Sequence, residues 1–510
     1  MHIGGMRTAL FNWLWARRNG GTFVLRIDDT DQQRNQQEAL QPILDAFRWL
    51  GLDWDEGPEV GGEHGPYFQS ERRSLHDEAL QKLLQSGAAY YDFEPAEETR
   101  AQREAAEKEK RNYVSSRTSL ELSDEDIQQK LSAAEAHVVR LKVPRERTIS
   151  IDDQVRGHVE WDAGLMVDPV IARADGSPLY NFACVVDDAL MQITHVIRAE
   201  EHLSNTPVQV LIYEALGYDV PQFAHIPFVA APGGKKKLSK RDISRYRSSP
   251  AFRNLFALGD EILQRLDHDP SEDSLSPVMV AYYREVGFLP AGVLNALARL
   301  GWSLDDHTEH LSLQQVTENF SLDRVVKGSA SLDPDKLMSF QAYWMQKLNP
   351  EEKLNNCCDI LRKAGLLSSE PTEDQRKLVR DVIRLSGDRL RVFGEILAMD
   401  EFFLSSDQLN YAEKDFQKRI VKPDDTVRLL QELRSRLADI ATFDEQPLHD
   451  LVQSFVEEHD LKFGQIAPAL RIAVTGKPKG ADLFPTLALL GKQECLDRID
   501  RAIGLAESMS

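Results

Sequence analysis

Residues 192–241 read QITHVIRAEEHLSNTPVQVLIYEALGYDVPQFAHIPFVAAPGGKKKLSKR. Gln192–Ile197 is a short apolar run of strand character. A helix follows, with Thr206 at its N-cap, Pro207 at its first position, apolar Val208, Leu211 and Leu216, and Gly217 as its stop. Phe223–Ala231 is a second strand and runs into Gly233-Gly234 and a lysine-rich loop. Strand, helix, strand in that order predicts a parallel sheet covered by helices.

The same alternation appears upstream. Met6, Leu10, Trp13 and Leu14 recur at helical spacing, Arg17 and Arg18 suit a helix C-terminus, and Gly20-Gly21 ends it. Thr22–Ile27 reads as a buried strand and Gln36–Leu50 as a helix. Tyr180–Val186 reads as a further buried strand. Between these stretches the character changes. Glu97–Arg111 is dense in Glu, Lys, Arg and Ala and reads as a solvated helical insertion; strand patterns return at Val138–Val143 and Thr148–Ile151. Beyond about residue 245 the pattern is helical almost throughout, as in the capping box Thr372-Glu373-Asp374-Gln375. The predicted fold class is α/β, a Rossmann-like domain with an α+β insertion, followed by an all-α C-terminal region.

Composition narrows the possibilities. The chain has 510 residues, 42% hydrophobic and 28% charged, as in an ordinary globular protein of several domains. No stretch of 18 apolar residues occurs, so no membrane-spanning helix is expected, and the N-terminal residues lack a signal-peptide pattern. The four cysteines, Cys184, Cys357, Cys358 and Cys495, have no C-x-x-C spacing. Neither a zinc ribbon nor a disulfide framework is indicated, and a reducing cytoplasm is the default location. A net charge of −21 argues against a protein coated for non-specific nucleic-acid binding.

Two short motifs carry chemistry. His2-Ile3-Gly4-Gly5 opens a helix, where free N–H groups and the helix dipole favour phosphate and glycines admit a ligand close to the backbone. Lys235, Lys236, Lys237, Lys240 and Arg241 crowd positive charge into one glycine-led loop, which suits a departing pyrophosphate. Each has a commonplace reading as well, an exposed terminus and a solvated turn.

Their order, with the α/β stretch between them, resembles the two signatures of class I aminoacyl-tRNA synthetases. Arg26-Ile27-Asp28-Asp29-Thr30-Asp31, Tyr180-Asn181-Phe182-Ala183, Val186-Asp187-Asp188, Ile193–Arg198 and Glu201–Pro207 are similar to the glutamyl-tRNA synthetase family. The likeness continues through Tyr283–Gly287, Leu300–Ser303, Pro468–Arg471 and Thr475-Gly476.

The resemblance implies ATP-dependent attachment of L-glutamate to tRNA(Glu) through a glutamyl-adenylate. It places ATP on His2, Gly4, Gly5, Lys237, Lys240 and Glu201, with His2, Lys237 and Lys240 in the catalytic role. It places glutamate on Asp28, Tyr180 and Arg198; the ordinary alternatives are strand-end capping for Asp28, core packing for Tyr180 and an ion pair with Glu200 or Glu201 for Arg198. Mg2+ arrives with ATP; no protein-bound metal and no structural zinc are expected. The implied domains are a split catalytic domain (1–84 and 177–245), an insertion meeting the tRNA acceptor end (85–176), a stem-contacting helical region (246–331) and a helical anticodon-binding domain (332–510). A monomer in the cytoplasm is implied.

Two departures stand out. Relatives carry a strand close to R-F-A-P-S-P-T-G ahead of the first motif, whereas this sequence opens at the motif, so weak glutamate activation is the expectation for the chain without it. Asp242–Tyr246 replaces the usual His-Gly after the second motif, and Phe252–Ser274 reads as an insertion. The alternatives are an impaired or non-catalytic tRNA-binding relative, or another class I adenylate-forming ligase. Glutaminyl-tRNA synthetases end in β-barrels, against the helical pattern here.

Overall fold

The computed structural model describes residues 1–29, 36–234 and 236–509. Thr30, Asp31 and Lys235, which the sequence reading used, lie outside the described residues. The chain forms two compact units. The first comprises residues 1–244, 278–281 and 294–334, the second residues 245–277, 282–293 and 335–510.

In the first unit, helix α1 (Ile3–Arg18) buries Ile3, Met6, Leu10, Phe11 and Leu14 completely. Burial of each such side chain is worth about 1.5–3 kcal/mol, so this apolar face rather than propensity holds the helix. Phe11 meets Phe320 edge-on at 5.1 Å between ring centroids. Helix α2 (Gln36–Leu50) has the predicted bounds. Helix α3 (Arg73–Gln85) leads to strand β1 (Ala89–Asp92), then to helices α4 (Ala96–Lys108) and α5 (Asp124–Ser132). Strands β2 (Val138–Leu141) and β5 (Val170–Arg173) join β1 in an antiparallel sheet ordered β1-β2-β5. Between them, β3 (Thr148–Asp153) and β4 (Gly157–Asp162) form a hairpin. α4 lies mostly in solvent, as its composition foretold.

The remainder of this unit is the βαβ stretch. Helix α6 (Tyr180–Leu190) precedes β6 (His195–Ala199), α7 (Thr206–Leu216), β7 (Gln222–Ile226) and β8 (Val229–Ala230), and β9 (Ala330–Ser331) returns beside β8. The pairs β6–β7 and β8–β9 are both parallel. Gly217 stops α7 in the left-handed region at φ 70°, which costs a glycine nothing.

Several boundaries differ from expectation. Tyr180–Val186 is helix, not strand. Its apolar run, Phe182–Val186, is short and buried throughout, and such a run has no periodicity to separate the two states. Phe223–Ala231 is two short strands rather than one. Among the described residues Thr22–Ile27 pairs in parallel at isolated points, Val24 with Glu56 and Ile27 with Phe68. Its partner changes from one segment to another after two residues, so no continuous ladder develops. Asn205, not Thr206, is the N-cap of α7; the Thr206 hydroxyl is used elsewhere, as described below.

The second unit is helical. Helices at Thr426–Asp439, Glu445–Glu458, Phe463–Thr475 and Lys492–Met509 enclose a core that includes Leu430, Leu433, Leu448, Phe455, Leu470 and Ile499. The Thr372–Gln375 capping box is formed as the spacing required. The helix Pro250–Arg265 opens the stretch read as an insertion and buries Phe252, Leu255, Phe256 and Ile262.

Candidate active site

The first motif is a helix start. The N–H of Gly4 donates to His2 Nδ1 at 2.9 Å, so His2 caps α1 with its own ring. The proton of the neutral imidazole is therefore on Nε2. That nitrogen is buried and has no hydrogen-bond partner among the described residues, although a buried donor left unpaired is costly. Burial, the nearby charge of Lys237 and the N-terminal amine push the His2 pKa down from 6.5 to about 4. Gly4 and Gly5 lie within the helix with ordinary helical φ, so their use is space, not backbone freedom. Gly5 lines a cavity of about 580 Å3 together with Asn12, Leu25 and Asp28.

The second motif meets the first. Lys237 acts electrostatically on His2, and Lys240 on the N-terminal amine. Lys237 Nζ donates to both carboxylate oxygens of Glu201 at 2.8 Å. Lys237 and Glu201 are about half exposed, so the pair is worth at most about 1 kcal/mol and can open when a stronger anion arrives. Lys240 is exposed.

A second group of residues gathers beside these. The Tyr180 hydroxyl lies 3.5 Å from His202 Nδ1, and the ring is 47% exposed rather than packed in a core. Burial of its hydroxyl, helped by Cys184 and Asp28 and opposed by the charge of Arg198, raises its pKa to about 12, so it stays a donor. Arg198 Nε donates to His225 Nε2 at 3.0 Å, and Arg198 Nη2 donates to Thr206 Oγ1 at 2.9 Å and to the His202 carbonyl at 3.3 Å. Neither Glu200 nor Glu201 pairs with Arg198. Glu200 takes Arg156, and Glu201 takes Lys237. Asp28 Oδ1 accepts from Arg26 Nε at 2.8 Å, and Asp28 Oδ2 lies 3.9 Å from Cys184 Sγ.

Sequence reasoning missed the supports. Arg26 Nη1 also donates to Asp188 Oδ1 at 2.6 Å, which holds the Asp28 arm. Fully buried Asp187 accepts from Gln69 Nε2 and Arg72 Nε, each at 2.6 Å, and meets His76 Nε2 at 2.9 Å. Buried Asp153 and His225 stand behind Arg198. Arg7 is also buried, with its guanidinium on the carbonyls of Pro227 and Leu300. Charged residues inside apolar segments were the one available sign.

A glycine-led helix start facing a lysine loop at the end of a parallel βαβ unit, with a charged pocket beside it, defines a class I aminoacyl-tRNA synthetase catalytic unit. Comparison with known proteins agrees. Residues 1–259 match the family of tRNA synthetases class I (E and Q), catalytic domain, and residues 346–503 match an anticodon binding domain. The chain is 38% identical over 502 residues to the glutamate–tRNA ligase of Moorella thermoacetica, covering 98% of this chain and 95% of the relative. It is 37% identical over 503 residues to that of an Anaeromyxobacter species, with coverage of 99% and 96%. A crystal structure of a glutamate tRNA ligase from Elizabethkingia meningosepticum, in complex with its amino acid, superposes with a TM-score of 0.80 at 31% identity, covering 99% of this chain and 97% of that one. The chain belongs to the glutamate–tRNA ligase family.

Proposed function

We propose that this site converts L-glutamate and ATP to glutamyl-adenylate and pyrophosphate, then transfers the glutamyl group to tRNA(Glu). The relatives reported above are named as ligases and lend no support to a non-catalytic tRNA-binding role. The observation that carries the site assignment is His2 Nε2–H, a buried donor with no acceptor among the described residues, set beside Lys237. A phosphate oxygen of ATP is the acceptor that both groups fit.

In the first step a glutamate α-carboxylate oxygen attacks the α-phosphorus, and the bond to pyrophosphate breaks. His2, Lys237 and Lys240 stabilise the charge that builds on the phosphate oxygens, and Gly4 and Gly5 leave room for the nucleotide at the helix start. Glu201 holds Lys237 until ATP displaces it. The cationic residues fit a triphosphate, and Mg2+ suits such a site because it binds chiefly to phosphate oxygens and water; when bound it supplies further charge neutralisation. Arg198 and Tyr180 take a glutamate carboxylate, for which a planar fork and a neutral hydroxyl are matched. Asp28 faces the ammonium group. In the second step a ribose hydroxyl of the terminal adenosine of the tRNA attacks the activated carbonyl, and AMP leaves.

Residues 85–176 would meet the acceptor end, 246–331 the stem and 332–510 the anticodon; the action is cytoplasmic and the enzyme a monomer. Charging of tRNA with labelled glutamate tests the reading. Lys240→Ala should lower the rate of adenylate formation by about 100-fold or more, as for the loss of one group stabilising transition-state charge. Wild-type chain that charges no tRNA, or a variant that keeps full activity, refutes it.

A further inference from the structure

Arg198 is aimed by a relay that begins in the hairpin of residues 148–162. The parallel register of β6 and β7 sets Arg198 directly opposite His225. Both side chains of the His225–Asp153 pair are fully buried, and His225 Nδ1 lies 2.6 Å from Asp153 Oδ2. Arg198 Nε can only donate, so the His225 Nε2 that faces it at 3.0 Å must accept. The His225 proton is thereby assigned to Nδ1, where it donates to Asp153. Asp153 is itself held at the hairpin turn, because its Oδ1 accepts the backbone N–H groups of Val155 and Arg156 at 2.9 and 2.8 Å.

We infer that Asp153 and His225 are positioning residues for glutamate binding: Asp153 selects the Nδ1–H tautomer of His225, and the unprotonated Nε2 fixes the Arg198 guanidinium toward the substrate carboxylate. This rests on the reading of Arg198 as a glutamate-binding residue. Thr206 completes the arrangement by accepting from Arg198 Nη2 at 2.9 Å, so two of the guanidinium nitrogens are committed to orientation. The other imidazole tautomer would turn an N–H toward the guanidinium and remove its acceptor; replacing a carboxylate that orients a histidine by its amide favours that wrong tautomer.

Asp153→Asn is the direct test. Asn keeps the shape and the turn acceptor, but presents an NH2 to His225 and so favours the wrong tautomer. ATP–pyrophosphate exchange, run in the presence of tRNA with glutamate and ATP varied separately, should show the KM for glutamate raised about 10-fold or more, the loss expected for one hydrogen bond to a charged group. The KM for ATP should stay within about twofold. His225→Phe should behave alike, while His225→Gln, which returns an oxygen acceptor near the Nε2 position, should recover glutamate binding to within a few-fold. If Asp153→Asn does not fold, the two His225 variants decide, and the 15N spectrum of the wild-type imidazole must show Nδ1 protonated and Nε2 not. Equal glutamate KM values for wild type, His225→Phe and His225→Gln, or an Nε2–H imidazole, overturn the relay. Arg198→Ala separates this from its premise. A large rise in glutamate KM there, with silent relay variants, refutes only the relay; an unchanged KM in Arg198→Ala refutes the reading of Arg198 itself.

Discussion

Asp187→Asn removes one charged partner from a buried network that lies outside the proposed substrate contacts. Asp187 is fully buried and Arg72 is 1% exposed. One carboxylate oxygen serves Arg72 at 2.6 Å and His76 at 2.9 Å, and the other serves Gln69 at 2.6 Å, so both oxygens are in use. Asn retains one oxygen. Its NH2 must then face a donor, either Gln69 or Arg72, and a buried guanidinium is left without its counter-charge. Loss of one partner of a buried pair costs about 3–5 kcal/mol, because it leaves an uncompensated charge out of water. For a unit whose total stability is on the order of 5–15 kcal/mol, that is a large fraction.

Urea unfolding followed by tryptophan fluorescence reads the loss as a lower midpoint. The pH dependence has a defined sign. Burial pushes the Asp187 carboxyl up, but His76, Arg26 and Gln69 outweigh it and hold it below 3.8. Its stabilisation is therefore present above that value and lost as pH falls through the depressed folded one. The gap between wild type and variant should be full near neutrality and close only in acid. The double variant Arg72→Met with Asp187→Leu should cost much less than the two single changes together, since it removes the orphaned charge along with its partner. A midpoint loss equivalent to less than about 1 kcal/mol for Asp187→Asn, or strict additivity in the double variant, would refute this reasoning.

Two further outcomes follow from the first motif. Gly5→Ala adds a methyl 3.2 Å from Met1 Cε, a flexible chain end, and at the wall of the 580 Å3 cavity. Because Ala exceeds Gly in helix propensity by up to about 1 kcal/mol, the thermal midpoint should hold or rise, while the KM for ATP rises; a fall in both would refute the assignment of the glycines to ligand space. His2 has a depressed folded pKa of about 4, so an NMR titration should find its ring neutral down to that value, and stability should decline as pH falls from 6.5 toward 4. His2→Asn, which keeps a cap for Gly4, should reduce that decline, and an unchanged pH profile would count against it.

The residues legible in the sequence share one property: each belongs to a short local pattern. His2–Gly5 and Lys237–Arg241 could be recognised because a helix start and a cationic loop need only neighbouring residues. Gly217 and the Thr372–Gln375 box were legible for the same reason, since caps are satisfied within one turn. The supports of the site obey no such rule. Arg72 and Asp187 stand 115 residues apart, and Asp153 and His225 stand 72 apart. Apart from their place inside apolar segments nothing local marks them, and tertiary packing brings them together: residues 69–85 lie against α6, and β3 of the hairpin lies against β7. Tyr180–Val186 failed in the same way. An apolar run covered on every side carries no stripe, so tertiary burial decided its state and the pattern could not. The Thr206 hydroxyl shows the converse. Local rules assigned it to a helix cap, and the structure spends it on Arg198 because Asn205 supplies the cap position. In this chain the residues proposed to contact substrate are thus read from motifs, while the contacts that aim them are read from the fold. Variants chosen from motifs alone would test the first set and leave the second untouched.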